Sequence, residues 1–313
     1  MVWSELRLVC EGEGGGDTAD GCGSVDSRVL DAILLGVLRA DIIVTPAGDQ
    51  ASLGSVASYL RMNGRVAARV EDRDYRPLCE AEASFGAGSR RFVWRRHEIE
   101  SYLLQPQVVA EALRRIPRGR GPVSAGGPTQ AEVAELLTEC ARLQAPREAL
   151  QLTLWQLRSS VGNAYRTGLN VSPTPDGAAP FSEDACRRAA VDECQRFAAA
   201  SEGAATDPRL GQAHVCAAYN RNLTAVTDAG FLEGLCFVAD FDAKLLLGCL
   251  ARRLHAVLGR ALTRRQLENE LAQALPDVYA AHAALFEPDD FLQVANGLRA
   301  LGGLPPVAHP AAS

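Results

Sequence analysis

The first third of the chain alternates short apolar runs with amphipathic stretches. Leu6 to Cys10 is an apolar-rich run ending at Glu11, and the glycine-rich stretch Gly12 to Gly23 follows it. From Val25 to Arg39, the apolar positions Val29, Leu30, Ile33, Leu34, Val37 and Leu38 recur at helical spacing and predict a helix with one buried face. Asp41 to Thr45 reads as a buried strand, stopped by Pro46 and Gly48. Leu53 to Met62 predicts a second helix, Arg65 to Glu71 a third strand, and Arg91 to Trp94 a fourth. Ile99 to Ile116 reads as helical with a break at Pro106. Strands and helices taking turns in units of this size imply a parallel sheet with flanking helices.

After Ile116 the pattern changes. Pro117 to Pro128 is rich in Pro, Gly and Arg and reads as a linker. Beyond it, alanine- and leucine-rich segments carry helical spacing over Gln130 to Leu143, Arg147 to Ser160, Glu183 to Ala200, Lys244 to Leu258 and Arg264 to Leu275. Asn170 to Pro180 reads as a loop. The expected organisation is an α/β domain over 1–118, a linker over 119–128, a mainly α-helical domain over 129–303 and a flexible tail over 304–313.

Composition adds exclusions. A chain of 313 residues with 47% hydrophobic and 22% charged residues has ordinary globular proportions, which rules out wholesale disorder and fibrous repeats. No apolar run reaches the ~18 residues a membrane helix needs, so no membrane association is expected. The start, Met1 to Arg7, lacks the basic and apolar regions of a signal peptide, and the nine cysteines lack CxxC spacing. Both point to a reducing cytoplasm. The net charge of −6 argues against indiscriminate nucleic-acid binding but leaves local basic clusters free to act. Of the 32 basic residues only Lys244 is lysine, which singles out a place where arginine does not serve.

Sites in α/β sheets form beyond the carboxyl ends of the strands, and acids gather there in this sequence. Glu11 ends the first strand, and Asp72 and Asp74 follow the third. Residues at i and i+2 of an extended segment point to the same side. Carboxylates converging at one edge call for a hard divalent cation with oxygen ligands, although capping of the turn, balanced by Arg73 and Arg76, explains the same residues. Glu98 and Glu100 form a second acidic pair, and an extended backbone there directs both towards Asp72 and Asp74; their rival role is to favour a helix N-terminus. Arg95 and Arg96, with Arg90 and Arg91, offer forks that match phosphate oxygens. The glycines after Glu11 do not complete GxGxxG, and neither a P-loop nor Gly-x-Ser-x-Gly is present.

Taken in order, these motifs resemble the TOPRIM domain, most closely the TOPRIM proteins related to OLD-family nucleases. The residues that carry the likeness are Cys10-Glu11-Gly12, Pro46-Ala47-Gly48, Asp72-Arg73-Asp74-Tyr75 and Glu98-Ile99-Glu100-Ser101-Tyr102-Leu103-Leu104, spread over residues 5 to 115. In the helical part, Asp242-Ala243-Lys244 followed by leucines is similar to a late Gly-Lys of that family. The sequence departs from the family at Gly15, where an acid is usual. An insertion from Glu13 to Ser24 shifts the equivalent acid to Asp26, with Asp17 as competitor.

The resemblance implies an α/β TOPRIM fold and Mg²⁺-dependent hydrolysis of nucleic-acid phosphodiester bonds, with Mn²⁺ as a substitute ion. Under it, Glu11, Asp72 and Asp74 hold one metal, while Glu100 with Glu98 or Asp26 completes a second site. Arg95 and Arg96 bind phosphate, and Lys244 stabilises developing charge. The implied role is that of an effector in anti-phage defence, acting on DNA or RNA, beside an ABC-type ATPase encoded nearby; the sequence leaves open whether the chain is a homo-oligomer. The alternative is a catalytically degenerate TOPRIM module that binds nucleic acid or regulates an ATPase.

Overall fold

A computed structural model describes residues 5–12, 24–116, 127–161, 168–175, 181–201 and 204–309. The chain forms two compact units, one comprising Met1–Val133 with Leu247–Ser313 and the other Ala134–Leu246. This differs from the division expected from composition, because the last third of the supposed helical domain returns to the sheet. The linker over 119–128 lies mostly outside the described residues.

The first unit is built on four parallel strands, β1 (Leu6–Cys10), β2 (Ile42–Pro46), β3 (Val66–Glu71) and β4 (Arg91–Val93). Their order in the sheet is β2-β1-β3-β4, with Leu6 opposite both Ile42 and Val66, and Arg69 opposite Arg91. β1 and β3 are therefore the inner strands. The crossover after β1 runs to one side, while the crossover after β2 passes over β1 to the other. Right-handed connections in opposite directions place their helices on opposite faces. The helix α1 (Val25–Leu30) runs into a π-helical segment, Asp31–Val37, where the Leu38 amide reaches back five residues to the Ile33 carbonyl (2.8 Å). The expected helix over 25–39 is thus present but rewound, a local change of period that hydrophobic spacing does not reveal.

The helix α2 (Gln50–Met62) covers the other face, packing Leu53 and Ala57 on Val9. Asp49 caps it by accepting from the Ser52 amide (2.9 Å). The short α3 (Leu78–Ser84) was not foreseen; Ser84 ties it to the sheet by accepting from the Val93 amide (2.8 Å). α4 (Glu100–Leu103) and α5 (Pro106–Arg115) are separated where Pro106 was expected to break the helix.

Two C-terminal helices complete this unit, α12 (Arg264–Ala281) and α13 (Asp290–Leu301). The first packs on α5 and α1, and the second lies on β1 and β3. Glycines allow the close approach: a Cβ at Gly297 would stand 2.8 Å from the Phe92 ring, and one at Gly302 2.7 Å from Leu6. Trp94, Tyr102, Tyr279, Phe286 and Phe291 form one buried aromatic cluster, with centroid separations of 4.8–5.7 Å. The tail expected to be flexible is tied down as far as His309. Asn296 exchanges hydrogen bonds with Val307 (2.7 and 3.1 Å), and His309 contacts Asp289 (2.9 Å). Residues 310–313 lie outside the described part.

The second unit is helical. α6 (Gln130–Ser160) enters it as one continuous helix through Pro146, where two helices were expected. An interior proline costs roughly 3 kcal/mol, and burial of Ala145, Ala149, Leu150 and Leu154 around it offsets that cost. α7 (Glu183–Ala200) matches the expected segment and buries Cys186, Cys194 and Phe197. α8 (Gln212–Val226), α9 (Ala229–Glu233), α10 (Phe237–Asp240) and the start of α11 (Ala243–Leu258) complete it. A buried amide network, Asn222 donating to Thr153 (2.9 Å) and Gln156 (3.1 Å), joins α8 to α6.

The exit of β1 depends on one glycine. Gly12 has φ +119° and exchanges two 2.8 Å backbone hydrogen bonds with Gly48; a Cβ there would lie 2.0 Å from the Ser24 hydroxyl. Gly12→Ala is expected to destabilise the chain by about 2–4 kcal/mol in urea unfolding, through backbone strain and overpacking. Gly36→Ala, in open helical surroundings, is expected to be neutral or stabilising by up to about 1 kcal/mol. Equal effects of the two substitutions would contradict this account.

Candidate active site at the switch point of the sheet

Because the connections after β1 and β3 diverge, a crevice opens beyond the carboxyl ends of these two neighbouring strands. Extending the register by two residues sets Glu11 opposite Glu71, with Asp72 next along the chain. Glu11 and Asp72 therefore stand at the same edge, on strands about 4.8 Å apart. The loop after β2 closes one flank: the Ala47 amide donates to the Cys10 carbonyl (3.0 Å), so Pro46-Ala47-Gly48 and Cys10-Glu11-Gly12 meet in space. Ser24, the N-cap of α1, donates to the Glu11 carbonyl (3.4 Å), which brings Asp26 in the first turn of that helix to the same edge.

The charge gathered there is registered by a buried thiol. The Cys10 pKa is raised well above its ordinary value, first by burial and then by the negative charges of Asp26, Asp31, Asp72 and Glu11. Glu11, Asp26, Asp72 and Asp74 are all partly exposed. Asp31 was not among the expected residues, and no motif marks it; it stands at the end of α1, its carboxylate hydrogen-bonded to the Val44 backbone of β2.

Asp74 does not sit as expected. Its φ is +51°, a left-handed conformation that aspartate tolerates, so the chain from Asp72 to Asp74 is not extended and simple alternation does not apply. The Asp74 amide donates to the His97 carbonyl (2.9 Å), which joins the loop after β3 to the loop after β4. Glu98 and Glu100 are buried, at 4% and 5% exposure, and Ile99 already has helical angles. The extended geometry that would have directed both towards the aspartates is absent. Ser101 holds this turn, its amide donating to the Glu98 carbonyl (3.1 Å).

The arginines are also placed differently. Arg95 forms a salt bridge with Asp290, donates to Gln293 (2.8 Å) and stacks over Phe85 at 4.2 Å. Arg96 stacks over Tyr102 at 4.6 Å and donates to the Ser101 carbonyl (3.1 Å). Both expected phosphate ligands are thus engaged in holding β4 and α4 to α13 and to each other. Tyr102 also donates to Asp290, whose pKa is raised by burial against the opposing effect of these partners. Lys244 is exposed in the first turn of α11, within the helical unit. Gly15 and Asp17 lie outside the described residues.

A residue that sequence reasoning passed over anchors the edge. The Glu71 carboxylate accepts from Arg69 Nε (2.7 Å), Arg91 Nε (2.9 Å) and Nη2 (2.8 Å), and Arg76 Nη1 (3.1 Å). Arg76 also donates to the Asp72 carbonyl. Burial pushes the Glu71 pKa up, but hydrogen bonds from Arg91 and Arg76 and the charges of Arg91 and Arg69 outweigh it and pull the value down to about 2. The i, i+2 spacing of Arg69 and Glu71 in a strand was the available signal.

Among the described residues, no group of three or more His, Cys, Asp or Glu side chains is arranged to hold a metal ion. No helix of the described part is long and apolar enough to cross a membrane. Comparison with protein-family models, characterised proteins and solved structures finds no match to the chain.

A pKa depressed in the folded state gives stability that is complete above the unfolded value of 4.5 and lost as pH falls towards about 2. For the largely buried Glu71 this amounts to about 3 kcal/mol. The unfolding free energy of Glu71→Gln is expected to fall less steeply than that of the wild type between pH 5 and pH 2, by that amount. Superimposable pH profiles would remove Glu71 from this role.

Proposed function

We propose that the chain is a TOPRIM-type nuclease that hydrolyses phosphodiester bonds of DNA or RNA with a divalent cation, Mg²⁺ or in its place Mn²⁺. One observation carries the reading: acids from the ends of both inner strands, Glu11 and Asp72, converge with Asp26 on the switch-point crevice around Cys10. The donor set fits a hard cation. The oxygens are carboxylates, and the one soft atom among them, the Cys10 sulfur, is held protonated and is not offered as a thiolate. Mg²⁺ is commonly bound by one or two carboxylates, completed by water and substrate phosphate.

In this reading Glu11 and Asp72 hold the ion, and Asp26 supplies the acid displaced from position 15. A bound ion supplies a lowered water pKa and a counter-charge for the phosphate. The surrounding residues orient the acids. Ser24 fixes the Glu11 backbone, Arg76 fixes the Asp72 carbonyl, and the Gly12–Gly48 pair closes the flank. Glu98, Glu100, Arg95 and Arg96 support the site from within the fold rather than touching substrate. The likeness to OLD-related TOPRIM proteins extends the proposal to an ABC-type ATPase partner and to anti-phage defence.

The second reading, a regulatory or nucleic-acid-binding module without catalysis, is favoured by one observation: the described acids form no ready-made three-residue metal site. Cleavage assays on single- and double-stranded DNA and RNA with Mg²⁺ or Mn²⁺ separate the two. The wild type is expected to cut, and Glu11→Gln and Asp72→Asn are expected to lose roughly 100-fold or more in rate, the scale on which metal-site substitutions act. Activity that is equal in all three proteins would remove the acids from the reaction. Inactivity of the wild type, with no heat of Mg²⁺ binding in calorimetry, would favour the regulatory module.

A further inference from the structure

We infer that Arg69 and Arg91, held by Glu71 and bridged to the Asp72 backbone by Arg76, form a docking site for the phosphate backbone of a nucleic-acid strand. The inference rests on the reading of the chain as acting on phosphodiesters, and supplies the contacts that Arg95 and Arg96 do not.

Two features separate this group from an ordinary structural ion pair. Arg69 and Arg91 are direct cross-strand neighbours on β3 and β4, and like charges placed opposite one another destabilise a sheet. One guanidinium would neutralise Glu71, yet three converge on it. Glu80 faces Arg91 from α3, and Glu11 and Asp72 stand at the same edge, so what distinguishes the arginines is the direction of their free nitrogens rather than net charge.

The exposures divide the roles. Glu71 has a side chain only 9% exposed, whereas those of Arg69 and Arg91 are 32% and 45% exposed. Glu71 engages Nε of Arg69, and Nε and Nη2 of Arg91. Within the described residues, both Nη groups of Arg69 and Nη1 of Arg91 make no hydrogen bond to protein. Gly54 of α2 leaves room for the first of these, since a Cβ there would stand 2.6 Å from Arg69 Nη1.

Arg76 is different. All three of its nitrogens are engaged, by the Arg73 carbonyl (3.0 Å), Glu71 and the Asp72 carbonyl. It is a positioning residue that links the bank to the backbone of a candidate metal ligand. The outcome is one pre-oriented fork, the two Nη groups of Arg69, and one single donor, Nη1 of Arg91, both anchored on Glu71, the residue before Asp72. Arginine forks match phosphate oxygens bidentately, and such backbone contacts fix register without reading sequence.

The test is binding without hydrolysis. A short fluorescein-labelled single-stranded oligonucleotide, DNA in one arm and RNA in the other, is titrated with the full chain in EDTA over a KCl series and followed by anisotropy. Arg69→Gln and Arg91→Gln are each expected to weaken binding roughly tenfold at low salt, the scale of a charged hydrogen bond. Each should also reduce the salt slope by about 0.7. Arg90→Gln, exposed beside the bank but outside it, is expected to bind within about twofold of wild type.

Should an arginine variant fail to fold, arginine modification of the wild-type chain by phenylglyoxal, mapped by mass spectrometry, replaces it. Protection of Arg69 and Arg91 by the oligonucleotide supports the site. Unchanged affinity and slope in the variants, protection elsewhere only, or no oligonucleotide binding by the wild type overturns it. Because no metal is present, a wild type that binds through these arginines but never cuts defeats the nuclease reading alone. A wild type that cuts while the variants bind normally defeats this inference alone.

Discussion

Charge brought together at the carboxyl edge of a four-stranded parallel sheet is the constraint around which the first unit is arranged. Parallel strands end on one side, so whatever follows β1, β2, β3 and β4 is collected there. Acids follow β1 and β3 and arginines flank β3 and β4, and neither set is tolerable alone in half-buried surroundings. Glu71 resolves the basic side by binding three guanidiniums to one carboxylate. The acidic side is left with Glu11, Asp26 and Asp72 around a protonated thiol. Acidic side chains exposed to a crevice beside arginines anchored on one carboxylate give the edge its chemical character.

The same logic explains why the chain returns to its beginning. A sheet of four short strands buries too little on its own, and its faces need more cover than the crossover helices supply. α12 and α13 provide it, although they begin only at Arg264 and Asp290, far along the chain from β4. Their docking is specified by polar contacts set in an apolar layer: Asp290 receives both Arg95 and Tyr102, and Arg299 donates to the Ala40 carbonyl (2.9 Å). Buried polar groups satisfied in this way fix the relative placement of elements that apolar packing alone would leave degenerate. The cost is that Arg95 and Arg96, attractive as phosphate ligands in isolation, become structural.

Much of the sheet was legible locally. The apolar run Leu6 to Cys10, the stops at Pro46 and Gly48, and the break at Pro106 all coincide with element boundaries, because strand length and turn chemistry are written within a few residues. The pairing of the glycine motifs at Gly12 and Gly48 was anticipated only as order along the chain, yet they bond to each other directly. The rewound turns of Asp31–Val37, the left-handed Asp74 and the helical angles at Ile99 were not legible. At Asp74 a hydrogen bond to the distant His97 carbonyl outweighs local preference, and in all three places the i, i+2 and i, i+4 rules fail because they presuppose regular backbone.

The linear order of residues by itself determined an alternating α/β beginning, a carboxyl edge supplied with acids, and helices thereafter, since these follow from periodicity and composition over short windows. It could not determine which acids are exposed and which buried, nor which arginine meets which carboxylate. Glu98 and Glu11 look alike in one dimension, and Arg95 looks more available than Arg69. Only the folded chain separates them, because burial and ion pairing depend on what arrives from distant segments, and α13 arrives on β1 and β3, with Asp290 at Arg95, for reasons of shape and hydrogen bonding that no local pattern contains.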